Sequence, residues 1–179
     1  MTKTMPRFSV QTLVKAAVCL ALCLVLPFLT GQIPQVGSAL CPMHIPVLLC
    51  GYLCGGPVAA LVGFVAPLFR HLLFGMPPFP ACLSMAFELA AYGFFSGLFY
   101  RLLPKKTVNL YVSLIGAMIA GRLVWGVAQT VVFGLTGKSF TLALFWAGAF
   151  VNAVPGIICH IILIPILVMA LRKAGALED

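Results

Sequence analysis

The chain is predicted to be an all-α, polytopic membrane protein, a bundle of six transmembrane helices. Three observations carry that prediction. The chain of 179 residues is 63% hydrophobic and only 8% charged, against about 25% charged in a soluble domain. Its mean hydropathy is +1.15. The apolar residues fall in long runs divided by Gly/Pro-rich or basic punctuation. Six spans at about 20 residues each need about 120 residues, which leaves short loops and no separate soluble domain. An ordinary soluble globule, a disordered chain and a nucleic-acid module are excluded by the same composition.

The segments follow in order. Residues 1–9 are polar and basic, and 10–29 are apolar apart from Gln11, Thr12 and Lys15. That run exceeds the roughly 7–15 apolar residues of a secretory signal, so it reads as a retained first helix. Gly31, Pro34, Gly37 and Pro42 mark a loop. Residues 43–54 form a marginally long second segment, closed by Gly55-Gly56-Pro57, and 57–74 the third. Gly75 to Pro80 make a rigid turn. Segments 81–103, 108–134 and 141–171 complete the single domain, the last containing Pro155 and Pro165 and therefore open to a kink or tilt. Within 43–74, one span plus a re-entrant stretch is the alternative to two short spans.

The net charge of +8 reads as a topology signal. Lys3, Arg7, Lys15, Arg101, Lys105, Lys106, Arg172 and Lys173 fall in the two tails and the loop after the fourth segment. Arg70 and Lys138 lie at the opposite end, and Arg122 lies mid-helix. The positive-inside bias then puts both termini in the cytoplasm. The seven cysteines contain no CxxC pair and read as small apolar packing residues. No metal site and no cofactor are expected. GxxxxGK[ST], HExxH and GxSxG are absent, and no nucleophile–base pair can be assembled, so an enzyme is not expected.

Glu88 in the fourth segment and Arg122 in the fifth are the notable charges. An ionised group at bilayer depth costs several kcal/mol unless it is paired or wetted. By helical rise, Glu88 lies ~10–12 Å below the outer end of its helix and Arg122 ~18 Å below that of its own, an offset that side chains can close. The pair reads either as a tether between helices or as a polar binding centre. Arg122, Trp125 and Gln129 recur at i, i+3 and i+7 and share a face. Glu88 and Tyr92 share one on the fourth helix, and Asn152 is expected at mid-depth of the sixth. Apolar walls with a few convergent polar groups suit a small-molecule pocket. Arg70, with His71, is expected at the outer end of the third helix, as a snorkelling charge or a contact to an anionic ligand. His160 is expected deep towards the cytoplasm, away from an outward pocket, and His44 reads as structural. Ala17/Ala21, Gly51/Gly55, Gly93/Gly97 and Ala149/Ala153 have small-xxx-small spacing that lets helices approach closely.

Ala17-Val18-Cys19-Leu20-Ala21 on the first helix, Pro42-Met43-His44-Ile45-Pro46-Val47-Leu48-Leu49-Cys50-Gly51, Gly63-Phe64-Val65-Ala66-Pro67-Leu68-Phe69-Arg70 and Gly75-Met76-Pro77-Pro78 together resemble a family. The chain, over roughly residues 10–172, resembles the substrate-binding S component of an energy-coupling factor (ECF) transporter. The resemblance implies a membrane subunit that binds a water-soluble vitamin or related micronutrient from outside. Its pocket would be built by helices 4–6 and capped by the loops after helices 1, 3 and 5. Glu88, Arg122, Asn152, Trp125, Gln129, Tyr92 and Arg70 are the expected substrate-binding residues. It also implies a coupling transmembrane subunit, met through Ala17 and Ala21, and two cytoplasmic ATPase subunits in a bacterial cell membrane. Lys15 departs from the smooth helix-1 face and is tolerable if it snorkels. The alternatives are a stand-alone channel or facilitator, which would need neither ATP nor partners, and a membrane scaffold, which would bind no solute.

Overall fold

The computed structural model describes residues 9–30, 39–135 and 141–177, apart from the side chains of Thr30 and Phe150. The described residues are helical, with no strand. The all-α membrane-type fold is thereby borne out. Helix α1 (Val10–Val25) starts where the Ser9 side chain accepts a hydrogen bond from Thr12 N at 3.1 Å, one of the otherwise orphaned amides of a helix start. It runs into a 3-10 turn over Leu26–Thr30. Its inward face carries Ala16, Cys19 and Cys23. Ala16 and Cys19 pack on Cys50, Cys54, Val58, Ala59 and Val62, so these thiols serve as small packing groups.

Helix α2 (His44–Cys54) has 11 residues, about 16 Å of rise, and cannot cross a bilayer alone. It turns sharply at Gly55, whose φ of 86° is open to glycine at no steric cost, into α3 (Gly56–Phe74). Helix α4 (Ala81–Leu102) is the hub, packed on α2, α3 and α5. Its contact with α3 is backbone to backbone. A Cβ added at Gly93 would lie 2.5 Å from the Ala59 carbonyl oxygen, and one at Gly56 2.6 Å from that of Phe94. Without a hydrophobic drive between helices in lipid, such close van der Waals approach is what holds them.

Helix α5 (Thr107–Leu135) is the longest, with 29 residues. The expected sixth span is interrupted. Helix α6 (Leu142–Trp146) gives way to a π-turn over Ala147–Val151, and α7 (Val154–Lys173) follows. Asn152 N donates back to Ala147 O at 2.9 Å, the wide closure of a π-turn. Pro155 lies in the first turn of α7, where its missing N–H is not needed. Pro165 lies inside α7 without ending it. Among the described residues, five stretches are long and apolar enough to cross a membrane: Val10–Leu29, α3, α4, α5 and α7, with α2 shorter.

One end of the bundle carries the α4–α5 turn and the C-terminal segment, and is called the basic end below. There Arg172 donates through Nε and Nη2 to the Tyr100 hydroxyl, at 3.1 and 2.9 Å. Lys105 Nζ sits 3.7 Å from the centre of the same ring. Tyr52 packs edge-on to Tyr100 and its hydroxyl lies 3.3 Å from Ser113 Oγ. Lys15 Nζ donates to Ala176 O at 2.7 Å, so its charge closes α1 onto the C-terminal segment in place of free snorkelling.

Candidate functional site

The polar centre forms where four elements reach the same height. By helical rise, Glu88 stands about 21 Å from the basic end of α4, Arg122 about 22 Å from that of α5 and His160 about 20 Å from that of α7. The offset expected from the outer ends disappears because α5 overruns α4 at the far end. The start of α2 supplies the fourth member, His44, because that helix is short and begins deep in the bundle. Glu88 is the only carboxylate side chain among the described residues.

Arg122 Nη1 lies 2.8 Å from Glu88 Oε1, a charge-assisted contact. His44 Nε2 lies 3.4 Å from the same oxygen. Glu88 is 2% exposed and Arg122 8%, so both charges are desolvated and each depends on the other. Arg122 Nη2 also meets Cys41 Sγ at 3.8 Å. The Tyr92 ring packs edge-on to His44, with centroids 4.9 Å apart, and its hydroxyl is within hydrogen-bonding reach of Arg122. His160 stacks on His44 at 5.9 Å and hydrogen-bonds the Cys41 backbone. Both nitrogens of His44, Nε2 of His160 and Nε of Arg122 are buried without a hydrogen-bond partner. Buried polar groups are normally satisfied, so four such atoms around one ion pair set this part of the bundle apart from its surroundings. An apolar groove of about 190 Å³, open on the side where Ile115 and Ile119 face outward, runs between α5 and α7 beside Arg122 and Tyr92.

A comparison with family models decides what kind of protein this is. Residues 11–168 match the model described as ECF transporter, substrate-specific component. The chain belongs to this family. No individual curated protein and no solved structure gives a significant match. A substrate-specific component is a transport subunit and not itself an enzyme, and its task is to hold a small-molecule substrate in association with the ECF transport subunits. Among the described residues no three His, Cys, Asp or Glu side chains come together to hold a metal.

The other residues singled out in the sequence disperse around this substrate-specific component. Trp125 and Gln129 continue the Arg122 face of α5 towards the far end. Trp125 is half-buried against Phe145, with ring centroids 6.2 Å apart, and Gln129 Oε1 is buried without a partner. Asn152 is exposed in the turn before α7, which corrects its expected mid-depth position within a continuous helix. Arg70 is 2% exposed and faces α1. Its Nη1 donates to the Leu24 carbonyl, and its guanidinium lies 4.9 and 5.2 Å from the Phe28 and Phe74 ring centres. It caps the end of α1 and neither snorkels nor joins the Glu88 cluster. His71 Nδ1 pairs with Pro77 O at 2.8 Å. Ala17 and Ala21 are exposed on the outward face of α1.

His44 and His160 are the members that sequence reasoning left out. His160 was expected far from the pocket because the sixth segment was counted from residue 141. With α7 starting at Val154, it falls level with Glu88. The signal that identifies both is their rarity: an ionisable side chain inside a spanning segment is a site candidate by default. The segments 31–38 and 136–140, within two of the loops expected to cap the pocket, lie outside the described residues, as do Lys138, Lys3 and Arg7.

Proposed function

We propose that this chain captures a water-soluble vitamin or related micronutrient from outside the cell and releases it inward, using ATP hydrolysed by two partner subunits. The observation that carries the reading is the Glu88–Arg122 pair, 2.8 Å apart and buried at mid-bundle, with unpartnered His44, His160 and Arg122 nitrogens around it. Glu88, Arg122 and Tyr92 contact the substrate, with Trp125 and Gln129 further along the same face. A tether between helices needs only the pair. It has no use for His44 Nδ1 and His160 Nε2, buried without partners at a cost of about 1–3 kcal/mol each.

Both termini face the cytoplasm of a bacterial cell in this reading, since the basic end then sits inside. The face of α1 around Ala17 and Ala21, flanked by exposed Leu13, Val14 and Val18, docks on the coupling transmembrane subunit. Native mass spectrometry of the purified chain tests the reading. A stoichiometric co-purified small molecule that is lost from Arg122→Ala supports it. A chain that takes up no solute, from cells or added, overturns it.

A further inference from the structure

The α5–α7 groove is walled by Ile115, Met118 and Ile119 of α5 and Ile157 and Ile161 of α7, and its surface is almost wholly apolar although it passes Tyr92 and Arg122. Ile115 and Ile119 form an exposed rim, so in a membrane-spanning bundle the groove opens sideways onto lipid. At about 190 Å³ it has room for roughly six water-sized groups. No glycine, alanine or serine lines it, and small residues are what let a second helix approach closely in a membrane. A flexible hydrocarbon chain suits such a slot better than a helix does.

Both walls lead to the basic end. On α7, Arg172 lies about three turns from Ile161 and on the same face. On α5, Val108, 70% exposed, shares a face with Ile115 and Ile119. Arg172 and Lys105 are gathered there on one ring: the Arg172 guanidinium lies 5.5 Å and Lys105 Nζ 3.7 Å from the Tyr100 centre. Of the five guanidinium N–H groups, two go to the Tyr100 hydroxyl and one to Lys105 O, which leaves two for a further acceptor. Among the described residues every ion pair involves Glu88, so neither cation faces a carboxylate there. A guanidinium and an ammonium side by side match the oxygens of a phosphate.

By helical rise, Ile115 lies about 12 Å from the start of α5, and Ile161 about 16 Å from Arg172. An acyl chain spans half of a hydrocarbon core about 30 Å thick. A lipid held by its phosphate at the basic end therefore lays the far part of one chain in the groove. We infer that the α5–α7 face seats one anionic phospholipid, its phosphate between Lys105 and Arg172 and one acyl chain in the groove. Basic pockets between spanning helices suit such headgroups. The seat is independent of the solute bound at mid-bundle and of the transport reading.

Native mass spectrometry of the delipidated full chain, titrated with phosphatidylglycerol or with phosphatidylcholine of the same acyl chains, tests this. One phosphatidylglycerol is expected to bind at least 10-fold tighter than phosphatidylcholine. Lys105→Gln, at an exposed position, and Lys105→Gln with Arg172→Gln should reduce that preference stepwise. Arg101→Gln with Lys173→Gln, which removes as much charge outside the Tyr100 cluster, should leave it within 2-fold. Ile115→Trp, which fills the groove from its rim, should weaken phosphatidylglycerol at least 5-fold, whereas Leu61→Trp, exposed on α3, should not. Equal affinity for the two lipids, equal losses in the two charge-removing double variants, or no loss in Ile115→Trp each overturns the inference. So does glycerol 3-phosphate binding as tightly as the lipid, which would make the cluster a site for free phosphate. Displacement of the lipid by bound coupling subunits would give the face to protein and also overturns it.

Discussion

The two halves of the bundle are packed by different rules. Helices α1 to α4 touch through glycine, alanine and cysteine, close enough that a single added methyl meets backbone. Helices α5 and α7 meet along a sparse seam of isoleucine and methionine that leaves an open groove. The element before α7 is broken by a π-turn. A backbone-to-backbone seam has one arrangement and resists deformation, whereas a seam with few contacts has less to hold it in one arrangement. The polar cluster sits on the boundary, with Glu88 and His44 from the first half and Arg122 and His160 from the second. The ion pair thus joins the closely packed half to the loosely packed one.

The contrast can be broken at several points. The largest effect is expected from Gly93→Leu, which drives a side chain into the Ala59 backbone. The variant should fail to give a monodisperse peak in fluorescence-detected size-exclusion chromatography, while Gly134→Leu, in open space on α5, elutes like the parent chain. Arg122→Ala leaves a buried carboxylate unpaired and should cost about 3–5 kcal/mol of stability, read as a lowered Tm in a detergent thermal-shift assay. Glu88→Gln with Arg122→Met together should recover much of that loss yet bind no solute, which separates folding from function. At the basic end, Tyr100→Phe removes the acceptor of two Arg172 hydrogen bonds. Its cost should be about 1.5–3 kcal/mol, seen as a smaller Tm shift with solute affinity unchanged. The smallest effect on the isolated chain is expected from Ala17→Leu on the exposed face of α1. Its Tm should stay within error, and pull-down with the coupling subunits reports the loss of docking.

The sequence showed some parts of this site better than others. Glu88 and Arg122 stood out because a charge inside an apolar run has few explanations. Arg122, Trp125 and Gln129 were legible as one face because helical periodicity is local. Arg70 looked equivalent to Arg122 in composition. It differs because its helix end lies beside the carbonyl end of α1, a fact of packing that no local pattern records. Asn152 was placed at mid-depth by assuming one continuous helix, and the π-turn over Ala147–Val151 carries no residue signal that distinguishes it from the α-helical run around it.

Composition and patterning by themselves determined that this is an all-α membrane protein, because solvation of apolar surface depends on residue content and run length alone. They also determined which charges needed explaining. Only the tertiary structure decided that α2 begins at mid-bundle, that α7 starts at Val154, and that both changes bring His44 and His160 level with Glu88 and Arg122. Height in a bundle depends on where each helix starts and stops against its neighbours, and those limits are set by packing between segments far apart in the chain.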